Sequence, residues 1–96
     1  MKSLQDIRII LQRNKQYLFN DYPITSLAIF GSYARKEQHE KSDLDILVEF
    51  RDKIGVRFID LAEEIEELIG SKVDLVSRNG IKDKYFQAIN SDLIYV

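Results

Sequence analysis

The residues of this chain whose types and spacing could do chemistry are three aspartates, and the chemistry would be that of a hard divalent cation. From Asp43 the sequence alternates as a strand does. Leu44, Ile46, Val48 and Phe50 point one way, and Asp43, Asp45, Leu47 and Glu49 the other. On one face of a strand, residues two apart have α-carbons roughly 6.5–7 Å from each other. Both carboxylates could therefore close on one or two cations that prefer oxygen ligands. The plain alternative is a solvent-facing strand with an acidic edge. Against it, aspartate is depleted in strands, and two carboxylates at ~4 Å in a partly exposed site repel by up to about 4 kcal/mol. A bound cation removes that repulsion.

Asp74 interrupts the apolar run Val73 to Val76. It either faces solvent on an edge strand, or caps a loop, or completes a three-carboxylate cluster if its strand lies beside that of Asp43. Such a cluster suits nucleotidyl transfer: two metals clamp a triphosphate, and one carboxylate helps deprotonate the attacking hydroxyl. Gly31-Ser32 follows a buried strand and leads into a short polar helix or turn. Glycine lets a phosphate approach the backbone, and the following amides and the Ser32 hydroxyl can donate to it. Taken alone, Gly-Ser is also a common turn.

These residues need elements to position them. Ser3 with Asp6 resembles a capping box and opens a helix from about Leu4 to Phe19, striped by Leu4, Ile7, Ile10, Leu11 and Leu18. Asp21-Tyr22-Pro23 stops it. Ser26 to Phe30 reads as a buried strand, and the segment from Asp43 as a second. Val56 to Ile69 reads as a helix ended by Gly70, and Lys72 to Ser77 as a third strand. Asn79-Gly80 marks a turn, Asp83 to Asn90 a further helix, and Leu93 to Val96 either an edge strand or a last helical turn. The fold class is α/β (α+β): a small mixed β-sheet flanked by helices, in a single domain spanning residues 1–96.

Composition narrows the function classes. The chain has 96 residues, 45% hydrophobic and 31% charged, which suffices for a core and argues against global disorder. A net charge of −2 argues against direct nucleic-acid binding, for which a strongly basic balance is usual. Without cysteine, disulfides, zinc–thiolate sites and thiol catalysis are excluded. No apolar run approaches the roughly 20 residues that span a bilayer, and the N-terminus lacks a secretory apolar core. A soluble cytoplasmic protein with no membrane partner is the expectation. His39 reads as a solvated loop residue. Glu63, Glu64, Glu66 and Glu67 read as a solvated helix face, and Arg51, Lys53 and Arg57 as a solvated loop that could also receive phosphate.

Gly31-Ser32, ten residues, then Asp43-Leu44-Asp45 resembles the signature of the DNA polymerase β-like nucleotidyltransferase superfamily. The runs Phe-Gly-Ser-Tyr-Ala-Arg-Lys-Glu (residues 30–37) and Lys-Ser-Asp-Leu-Asp-Ile-Leu-Val (residues 41–48) are similar to its minimal members, the MNT domains, often encoded beside a helical HEPN partner. Lys-Val-Asp-Leu-Val matches the strand bearing that family's third carboxylate. The resemblance implies Asp43 and Asp45 as principal metal ligands and Asp74 as a third carboxylate that binds metal or activates the acceptor. It implies Gly31, Ser32, Arg35 and Ser42 as nucleotide-binding residues, with a plain surface arginine as the other reading of Arg35. It implies Mg²⁺ or Mn²⁺ as cofactor and ATP or another nucleoside triphosphate as substrate. The implied activity is transfer of AMP to a tyrosine of a HEPN ribonuclease toxin, making the protein an antitoxin. Lys36 departs from the glycine the family often has after that arginine, which bears on the loop geometry. With no further domain to select an acceptor, recognition falls to this small surface, to a dimer or to another protein. Two other readings stand beside it: an antitoxin that neutralises by binding alone, and a transferase acting on a small molecule or an RNA end.

Overall fold

Ser3 opens the first helix as its spacing predicts. In this computed structural model, which describes residues 2–96, the Asp6 amide donates to Ser3 Oγ at 3.1 Å and the Ser3 amide to Asp6 Oδ2 at 3.0 Å. These two bonds satisfy two otherwise orphaned helix donors. The helix, α1, runs Leu4–Asp21, two residues beyond the predicted end. The proline rule restricts only the residue immediately before Pro23, and Tyr22 is the residue that turns extended. Strand β1 then spans Ile24–Phe30, a four-residue helix α2 spans Gly31–Ala34, and β2 spans Leu44–Phe50. Helix α3 covers Arg57–Ile69 and ends at Gly70, whose φ of 79° is left-handed. Strand β3 is Val73–Ser77, α4 is Asp83–Ile89, and β4 is Ile94–Tyr95, the edge-strand alternative for the C-terminal segment.

The sheet order is β3-β2-β1-β4. β2 pairs antiparallel with β1 and parallel with β3, and β4 pairs antiparallel with β1 at Ala28–Tyr95 and Ile29–Ile94. Helices α1 and α3 supply Ile7, Leu11, Leu18, Leu61, Ile65 and Ile69 to a core completed by Leu27, Ile29, Leu44, Ile46, Val48 and Val73 on one sheet face. Ala28, Phe30 and Leu47 alternate with these and are buried on the opposite face, outside that core. Strands β3 and β4 are the opposite edges of the sheet, and the chain between them carries α4. No helix among the described residues is long and apolar enough to cross a membrane.

Two readings of charged residues need correction. Glu64 is not merely solvated: both Tyr17 and Tyr22 donate their hydroxyls to its carboxylate, the latter at 2.6 Å. Arg57 stacks on the Tyr22 ring at 4.5 Å and donates to the Asp21 carbonyl, so it serves this α1–α3 clasp rather than a free loop. Glu66 likewise accepts the Val73 amide at 3.0 Å, where β3 begins. A helix turned toward a partner brings its polar flank into contact as well as its apolar stripe, and the sequence shows only the stripe.

Candidate active site

The three aspartates gather where β2 and β3 begin and β1 ends. Parallel pairing sets Asp45 directly beside Asp74, and antiparallel pairing sets Asp45 opposite Phe30, the residue before Gly31. Asp43 lies one residue before β2 and is exposed. Asp74 is exposed on the edge strand, as the first of its sequence readings has it, and its strand pairs it with Asp45. Asp45 and Asp74 alternate with core residues Leu44 and Val73 and therefore point to the face opposite α1 and α3.

Gly31 is required by this packing. Its φ is 73°, and a Cβ there would collide with Asp45 Oδ2 and stand 3.0 Å from its Cγ. The glycine thus makes room for the carboxylate. The turn beyond α2 is a Schellman motif: the Glu37 amide donates to the Ser32 carbonyl at 2.8 Å and the Lys36 amide to that of Tyr33 at 3.1 Å. Lys36 occupies the left-handed position at φ 58°, where glycine is the least strained residue. The departure at Lys36 thus leaves the loop geometry intact at the expense of local strain.

The electrostatics are those of crowded negative charge. The Asp45 carboxyl is pushed up to about 6, first by burial, then by the charges of Asp74 and Asp43, with a hydrogen bond that the protonated Asp45 carboxyl donates to Asp74 adding to the rise. Arg35 opposes this only partly. Among the described residues no three acidic or histidine side chains already converge as a ready-made cation cage. The donor set nevertheless fits a magnesium-type ion, which is ordinarily held by one or two carboxylates together with substrate phosphates. A cation there would neutralise the repulsion that lifts Asp45.

Arg35 leaves the end of α2 and is held between two acids, with Nε 3.0 Å from Glu37 Oε1 and a terminal nitrogen 3.0 Å from Asp92 Oδ2. Asp92 was not legible as a site residue. It reaches Arg35 only because the C-terminal segment becomes a strand beside β1. Ser42 is engaged elsewhere: its hydroxyl accepts the His39 amide at 3.0 Å, and its own amide donates to the His39 carbonyl at 2.9 Å. A cavity of about 460 Å³ lined by Lys2, Tyr33, Glu40, Ser42, Gly70 and Ser71 opens nearby. Tyr33 belongs to the helix-side core, so this cavity lies on the other side of the sheet from Asp45 and Asp74 and does not contain the pair.

The family described as polymerase beta, nucleotidyltransferase matches residues 6–95. A Methanocaldococcus jannaschii protein assigned as a protein adenylyltransferase is 48% identical over 98 residues, covering 100% of both chains. A solved structure assigned as a minimal nucleotidyltransferase superposes with a TM-score of 0.83 at 28% identity, covering 97% of this chain and 95% of the other. A chain from a toxin–antitoxin structure with AMP-PNP gives a TM-score of 0.73 at 25% identity, covering 88% of this chain and 70% of its own.

Proposed function

The chain belongs to the polymerase beta nucleotidyltransferase family, and from that premise we propose that it is a metal-dependent protein adenylyltransferase that silences a HEPN-type toxin by moving AMP from ATP to a tyrosine hydroxyl. The observation that carries this reading is the Asp45–Asp74 pair, set side by side against Gly31 with Asp43 at the strand entrance. The name of the M. jannaschii relative supports a protein acceptor and adenylyl donor. The toxin–antitoxin relative solved with AMP-PNP supports the toxin partner. The cytoplasm, where ATP and such a toxin coexist, is the setting that suits this chemistry, and residues 1–96 act as one domain.

The residues divide the work as follows. Asp43 and Asp45 hold Mg²⁺ or Mn²⁺, with Asp74 as third carboxylate. When bound, the cation neutralises phosphate charge and polarises the α-phosphorus. The backbone after Gly31, the Ser32 hydroxyl and Arg35 bind the triphosphate. The acceptor oxygen then bonds to the α-phosphorus, the α–β phosphoanhydride bond breaks, pyrophosphate leaves, and Asp74 takes the acceptor proton. Ser42 shapes the turn that delivers Asp43.

Transfer is tested with ATP labelled at the α- or the γ-phosphate, incubated with cation, this protein and the co-expressed toxin. Label from the α-position on the toxin, absent with the γ-label and with Asp43→Ala/Asp45→Ala, is the expected result. Neutralisation by that double variant with no label transferred would instead select an antitoxin that acts by occlusion.

A further inference from the structure

We propose that Asp92 is a positioning residue for nucleotide binding: it tethers Arg35 beside the Asp45–Asp74 pair and so couples the C-terminal strand to the phosphate-binding turn. The inference rests on the proposed nucleotide site and names a residue outside its motifs.

Arg35 caps α2, the short helix whose first residue, Gly31, packs against the Asp45 carboxylate, and its reach is set by its partners. Of these, Glu37 is two residues away in sequence and its side chain is 66% exposed. Such a local, hydrated pair contributes little to order. Asp92 lies 57 residues away, is only 27% exposed, and meets the guanidinium at 3.0 Å. Its own position is fixed from both sides. The turn Asn90–Asp92 closes with the Leu93 amide on the Asn90 carbonyl, and β4 then pairs with β1 through Ile94–Ile29 and through the Val96 amide on the Leu27 carbonyl at 3.0 Å. A turn anchored by β4 thus presents one carboxylate to the arginine that caps α2, the helix following β1. An arginine left free there loses more side-chain freedom when a triphosphate binds, because long side chains carry the largest rotamer entropy. Held by Asp92 on one edge of its planar fork, Arg35 keeps further N–H donors for phosphate oxygens.

The opposite reading is that Asp92 competes with phosphate for Arg35 and weakens binding. The two readings give opposite signs. We would measure the affinity of a fluorescent ATP analogue with Mg²⁺ for wild type, Asp92→Asn, Glu37→Gln, Arg35→Ala and the Arg35→Ala/Asp92→Asn double variant. In parallel, the Arg35 terminal Nη–H resonances would be followed without nucleotide. Tethering is expected to give roughly five- to tenfold weaker binding for Asp92→Asn, as for losing one hydrogen bond of ordinary strength, and less than about twofold for Glu37→Gln. Arg35→Ala should be at least as weak as Asp92→Asn, and the double variant no weaker than Arg35→Ala, since Asp92 acts through Arg35. The Nη–H signal should be protected in wild type and lost in Asp92→Asn, since the terminal nitrogen is the one that meets Asp92. Unchanged or tighter binding by Asp92→Asn, or additive losses in the double variant, would overturn the tether while leaving the nucleotide site standing. A wild type that binds no nucleotide would overturn the proposed function and this inference together, whatever the resonance shows.

Discussion

Asp45 carries most of the site's electrical strain, and its chemistry can be read through folding. Its proton affinity rises on folding, from an ordinary value of 3.8 to about 6, chiefly by burial and then by Asp74 and Asp43. A carboxyl raised in this way stabilises the fold fully below its unfolded value, and that contribution is lost as the pH climbs through about 6. In chelator, wild type should therefore lose stability between about pH 4 and pH 7. Asp45→Asn should be the more stable protein at pH 7.5 by about 1–2 kcal/mol, allowing for solvent screening, and equal to wild type near pH 4. Denaturant titrations at the two pH values check this, and a variant no more stable at pH 7.5 would contradict it. Gly31 sets the other limit at this scale. Gly31→Ala adds a Cβ at φ 73° against Asp45 Oδ2. It should cost about 1–3 kcal/mol of stability and roughly 100-fold or more in transfer rate, since displacing reacting groups by about 1 Å has that effect. A variant with wild-type rate would show that Asp45 need not rest on the glycine.

Among the elements, the turn after α2 and the α1–α3 clasp invite separate tests. Lys36 is left-handed at φ 58°, so Lys36→Gly should stabilise the fold by up to about 1 kcal/mol and leave nucleotide affinity unchanged. A destabilised Lys36→Gly would mean that the lysine side chain has a role that its backbone conformation does not reveal. In the clasp, Tyr17 and Tyr22 hold the Glu64 carboxyl below its ordinary range by hydrogen bonding. The stability it adds is present above about pH 4.5 and is lost as the pH falls through its lowered value. Glu64→Ala should cost about 1 kcal/mol at neutral pH and less in acid, read by the same titrations. The Ser3–Asp6 box, the proline stop, Gly70 and the Asp45 strand were legible because each depends on neighbours within a few residues. Glu64, Glu66 and Asp92 were not, since their partners lie across packed elements. The Asp92–Arg35 pair in particular exists only if the C-terminal segment pairs as β4 beside β1, a choice that periodicity left open between strand and helical turn.

Across the whole molecule, the family match runs over residues 6–95, and in the proposed function a partner protein supplies the acceptor. The carboxylates carry charge that a cation and a triphosphate would neutralise, so ligand and folding are linked. At 100-fold over its dissociation constant, Mg²⁺–ATP should stabilise the protein by about 2.7 kcal/mol, visible as a raised melting temperature in wild type and absent in Asp43→Ala/Asp45→Ala. Intact-mass analysis of the toxin, co-expressed with wild type or with that double variant, tests the central claim most directly. The expected result is a toxin heavier by one or more adenylyl units with wild type and unmodified with the variant. An unmodified toxin, stably bound and fully neutralised by wild type, would contradict adenylyl transfer and leave binding as the means of silencing.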